Sequence, residues 1–61
     1  MEIKKDEDVR TRTLTINKKE NLINFETKAQ LKQTGASSIT NIYLDNEDIK
    51  KLIKFLSELV E

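Results

Sequence analysis

Sixty-one residues, 36% of them apolar and 36% charged with zero net charge, bound a single small domain. The chain has no Cys and no His, which excludes disulfides, the usual structural zinc sites and histidine- or thiol-based catalysis. A chain of this size buries only about 60% of its unfolded surface, so self-association is the remaining route to a stable core.

Residues 1–8 carry a net −2, residues 9–34 a net +4 and residues 35–61 a net −2. Lys, Ile and Asn together fill 21 positions, and their codons are AT-rich, which suggests a low-GC bacterial or phage genome. No apolar run reaches the 18 or so residues of a membrane span, and Met1-Glu-Ile-Lys-Lys-Asp6 lacks the apolar stretch of a signal peptide. A cytoplasmic location and no membrane partner are the resulting expectations.

Taken in chain order, residues 1–8 read either as a short edge strand ending in the charged turn Asp6-Glu-Asp8 or as a flexible tail. Val9-Arg-Thr-Arg-Thr-Leu-Thr-Ile16 is a strand, with Thr11, Thr13 and Thr15 on one face and Leu14 and Ile16 on the other. Asn17-Lys-Lys-Glu20 is a polar break of hairpin length. Ile23, Phe25, Thr27, Ala29 and Leu31 then alternate with polar residues, the period of a sheet with one apolar face.

Thr34-Gly-Ala-Ser37 is the second break, with Gly35 at the position most in need of positive φ. Ser38-Ile-Thr-Asn-Ile-Tyr-Leu44 is the next strand, apolar on both faces, which predicts cover on both faces or a bulge. Asp45 is a helix N-cap with Asp48 completing a capping box. Ile49, Leu52, Ile53, Leu56, Leu59 and Val60 form one helical stripe, with Phe55 at its edge. That stripe is wider than a three-stranded sheet needs, so it points to a second copy.

Gln33-Thr-Gly-Ala-Ser-Ser-Ile39 resembles the phosphate-binding loop of short-chain dehydrogenases, which would imply a dinucleotide cofactor. The resemblance breaks at Ile39, where the second glycine is missing and a strand follows instead of a helix. The segment reads as a β-turn, and no cofactor is expected. Asp6 with Asp8 and Asp45 with Asp48 are the carboxylate pairs available to a hard cation, but solvation explains the first and capping the second. No metal site, no catalytic residue and no enzymatic activity are expected.

Arg10, Arg12, Lys18, Lys19, Lys28 and Lys32 would lie on one β-hairpin, able to meet nucleic-acid phosphates or an acidic partner. A strands-then-helix dimer is also similar in architecture to the transcriptional coactivators and phage proteins that hold single-stranded DNA on a curved sheet. That likeness implies single-strand binding, which would require basic or aromatic platforms.

The sequence therefore predicts one α+β domain over residues 1–61: an antiparallel meander of three or four strands with one C-terminal amphipathic helix packed on one face. The expected buried set is Leu14, Ile16, Ile23, Phe25, Ala29, Leu31, Ile42, Leu44, Ile49, Leu52, Ile53, Leu56 and Leu59. Ile39, Tyr43, Phe55 and Val60 are the candidates for a homodimer interface. The expected function is a non-enzymatic protein-interaction module, homodimeric, of the kind a phage or bacterium uses to inhibit or regulate a host protein, defence proteins included. Nucleic-acid binding by the hairpin 9–34 is the alternative.

Overall fold

The computed structural model describes residues 1–60. It shows four antiparallel strands followed by one helix: β1 (Glu2–Asp6), β2 (Arg10–Lys19), β3 (Leu22–Leu31), β4 (Ser37–Leu44) and α1 (Asn46–Leu59). The strands lie side by side in chain order. The α+β class, the meander and the C-terminal helix are as the sequence predicts. Of the two readings of residues 1–8, the edge strand is the one found. The Met1 ammonium donates to the Ile16 carbonyl at 3.0 Å, and the Ile16 N–H returns a bond to Met1 at 2.8 Å.

The hairpins are tighter than the composition suggests. β2 and β3 pair without interruption from Arg10 opposite Leu31 to Lys19 opposite Leu22, leaving only Glu20 and Asn21 as the turn. Asn17, Lys18 and Lys19 belong to the strand, because a two-residue turn closes the hairpin without them. Glu20 takes left-handed backbone at φ 57°, where a side chain is unfavourable. Gly35 takes φ 75° at the β3–β4 turn, as expected, and the Ala36 N–H donates to the Thr34 hydroxyl there. β4 pairs with β3 in continuous register from Ile23 opposite Leu44 to Gln30 opposite Ser37, so its two apolar faces need no bulge.

That register sorts the sheet into two faces. Ile3, Leu14, Ile16, Ile23, Phe25, Ala29, Leu31, Ile42 and Leu44 share one of them. The opposite face carries the threonines of β2 together with Lys4, Asn24, Glu26, Lys28, Gln30, Ile39, Asn41 and Tyr43.

The helix does not cover the apolar face. α1 meets the sheet only weakly, chiefly at β4, and among the described residues no side chain is fully buried. Of the expected core, Leu14, Ile16, Ile23, Phe25, Ala29, Leu44, Ile49 and Leu52 are half-buried, while Leu31, Ile42, Ile53, Leu56 and Leu59 are exposed. The reason is the length of the connection. β4 ends at Leu44 and α1 begins at Asn46, so Asp45 alone joins them. Connections between strands and helices that pack on their sheet usually run 2–6 residues. Asp45 is also pinned by a reciprocal capping box, with Asp48 N–H to Asp45 Oδ1 at 2.9 Å and Asp45 N–H to Asp48 Oδ2 at 3.3 Å.

The result is a flat, open chain of 40 × 31 × 14 Å. Its radius of gyration is 14.0 Å, against about 10.5 Å for a compact domain of this length. A Gly-Ser-Gly insertion between Leu44 and Asp45 should let α1 turn back onto its own sheet. The expected outcome is a more compact subunit, its radius of gyration in small-angle scattering falling from the 14.0 Å of the single chain toward the compact value.

Candidate functional site

The largest chemical feature of the surface is apolar. Eight of the thirteen exposed large hydrophobic side chains lie on β4, α1 and the helix C-cap: Ile39, Ile42, Tyr43, Ile53, Phe55, Leu56, Leu59 and Val60. Phe55 is 58% exposed and Val60 79%. All four sequence candidates for a dimer interface are in this group. Ile39 and Tyr43 stand on the polar face of β4, whereas Phe55 stands on α1 and Val60 is its C-cap, so the four do not form a single patch. The sequence assigns Ile42, Ile53, Leu56 and Leu59 to a core, yet all four are exposed. The signal that distinguishes them is the missing loop at Asp45.

The apolar face of the sheet holds a shallow depression of about 390 Å³ at mid-sheet, lined by Ile3, Arg12, Leu14, Thr27, Ala29 and Thr40. Its apolar lining is Ile3, Leu14 and Ala29, and Lys5, Thr13, Lys28 and Ser38 join Arg12 and the two threonines in making the rest polar.

The basic residues are distributed differently from the sequence expectation. Arg10, Arg12 and Lys18 project on the apolar side of the hairpin, Lys19 and Lys28 on the polar side, and Lys32 follows β3. Three of the six are engaged at one end of the sheet. Glu7 bridges Arg10, whose Nε donates at 3.3 Å, and Arg12, whose Nη2 donates to the other carboxylate oxygen. Asp6 takes Lys32 Nζ at 2.6 Å and a weak bond from the Thr11 hydroxyl at 3.5 Å. The acidic first segment therefore folds against the basic middle, because the β1–β2 turn carries Asp6 and Glu7 past the start of β2 and the end of β3. Surface ion pairs of this kind contribute little to stability, but they neutralise the cations.

These contacts hold the carboxyls below their ordinary range: Asp6 chiefly through its hydrogen bond from Lys32, and Glu7 chiefly through that from Arg12. Asp45 is lowered chiefly by the Asp48 backbone N–H. Carboxylates held ionised in this way are poor general acids at neutral pH. No cluster of three or more metal-ligating side chains occurs among the described residues, and no helix among them is long and apolar enough to cross a membrane. Comparison with protein-family models, with curated proteins and with solved structures finds no match for this chain.

A group whose folded pKa is lowered stabilises the fold above its unfolded pKa and loses that contribution as pH falls through the folded value. Acidification from pH 6 to below the ordinary carboxyl range, 3.8 for Asp and 4.5 for Glu, should lower the melting temperature as Asp6, Glu7 and Asp45 protonate. Circular-dichroism melts should show a smaller acid-side fall for Glu7→Gln than for the natural chain. At neutral pH, Asp6→Asn with Glu7→Gln should release Arg10, Arg12 and Lys32 and increase salt-sensitive retention on an anionic resin.

Proposed function

We propose that this chain is a non-catalytic protein-interaction module whose working form is an assembly, with a second copy of itself as the first partner. One observation carries the reading. The chain exposes 5337 Å², whereas a folded monomer of its mass exposes about 4,100 Å². The excess of roughly 1,200 Å² exceeds the ~800 Å² per partner of a standard protein interface, and eight large apolar side chains of β4, α1 and its C-cap are among the exposed residues. Water is a poor cover for it, since each large aliphatic side chain left exposed forgoes about 1.5–3 kcal/mol.

A module of this size suits a phage or bacterial regulator that works in the cytoplasm by docking on a host protein. Its small area, lack of thiol and imidazole, and open apolar face support binding rather than catalysis. The nucleic-acid alternative has weaker support, because Arg10, Arg12 and Lys32 are already paired with Glu7 and Asp6.

Sedimentation velocity and thermal melts across the micromolar range test the reading. The expected result is self-association with a melting temperature that rises with concentration. A monomer with a concentration-independent melting temperature and no uptake of a hydrophobic dye would overturn it.

A further inference from the structure

The two edges of the sheet differ in a way that selects one of them for pairing. β1 is five residues long and four of these are charged: Glu2, Lys4, Lys5 and Asp6. β4 is eight residues long, Ser-Ser-Ile-Thr-Asn-Ile-Tyr-Leu, and carries no charge and no proline. Long, uncharged edge strands are templates for further pairing, and charges are the usual guard against it.

Backbone direction identifies the groups each edge offers. In an antiparallel ladder, N–H and C=O of alternate residues point toward the same neighbour. The Leu31 N–H donates to the Ala36 carbonyl at 2.8 Å, and the pairing continues in that register. Ser38, Thr40, Ile42 and Leu44 therefore bond to β3, and Ser37, Ile39, Asn41 and Tyr43 turn their backbone groups out to the free edge. By the same alternation, fixed by the Met1–Ile16 bonds, Glu2, Lys4 and Asp6 are the outward residues of β1.

The geometry points to β4 as the seam of a homodimer, in which two copies pair antiparallel about a two-fold axis at Thr40. This inference rests on the self-association proposed above and specifies its contact. In that register Ser37 faces Tyr43 of the second copy, and Ile39 faces Asn41, so all four outward residues of each strand find partners. The contact is isologous and closes on itself. The equivalent pairing of β1 about Lys4 sets Lys4 against Lys4 and Glu2 against Asp6, like charges directly opposite in every pair of outward residues, which is destabilising. A two-fold normal to the sheet keeps the same face on the same side. The apolar faces of both copies then join into one eight-stranded surface, with an α1 helix leaving at each end of the seam. Ile39 and Tyr43, 55% and 50% exposed on the single chain, flank that seam.

The chain has no cysteine, so single thiols report the seam directly. Directly opposite residues in a non-hydrogen-bonded antiparallel pair have Cα atoms about 4.5 Å apart, inside the range a disulfide spans. Thr40→Cys, treated with oxidised glutathione, should form a covalent dimer roughly tenfold or more faster than Lys4→Cys on the opposite edge, because pairing raises the effective thiol concentration. Ile39→Lys with Asn41→Lys should sediment as a monomer while keeping its β-sheet circular dichroism.

If Thr40→Cys links no faster than Lys4→Cys while the natural chain sediments as a dimer, the β4 seam is wrong and association stands. A folded Ile39→Lys, Asn41→Lys variant that remains dimeric overturns the seam in the same way. If the natural chain stays monomeric across the micromolar range, both the seam and the association it rests on fail.

Discussion

The architecture depends on one residue, Asp45. It ends β4, caps α1 and is the whole of the connection between them. Its carboxylate holds the Asp48 N–H and its own N–H is held in return, which fixes the direction in which the helix leaves. A longer and looser joint would let α1 lie back across the sheet, and the chain would have an internal core. With this joint, the apolar stripe of the helix and the apolar face of the sheet are made by the same chain but do not meet within it. The open surface, the large radius of gyration and the half-buried strands all follow from that.

Much of the fold was legible in the sequence because local rules govern it. The alternation of Ile23, Phe25, Ala29 and Leu31 identifies β3, Gly35 identifies the turn that needs positive φ, and Asp45 with Asp48 identifies the helix start. The register also places Ile39 and Tyr43 on the other face of β4 from Ile42 and Leu44, as alternation requires. Reading Asn17, Lys18 and Lys19 as loop failed because polar residues at the tip of an exposed hairpin satisfy the ladder as well as β-branched ones do. The helix packing failed for a different reason. A hydrophobic stripe says that an element wants cover, and only the length of the joint says whether its own chain can supply it.

The charged residues illustrate the same limit. Counting along the chain gives an acidic start and a basic middle, and the basic middle reads as a surface for anions. Folding brings Asp6 and Glu7 onto Arg10, Arg12 and Lys32, so much of that surface is spent within the molecule. The candidate site that survives is the apolar one, on β4 and α1, and half of its residues had been assigned to an interior that the single chain does not have.

That no side chain among the described residues is fully buried bears on the lifetime of the molecule as well as its shape. Strands with little packed against them exchange their amides readily and open to proteases at low free-energy cost. Anything that binds only the folded form shifts that balance in proportion to its concentration. Under the self-association proposed above, abundance would become a control variable: scarce copies would be cleared, and copies numerous enough to find cover would persist.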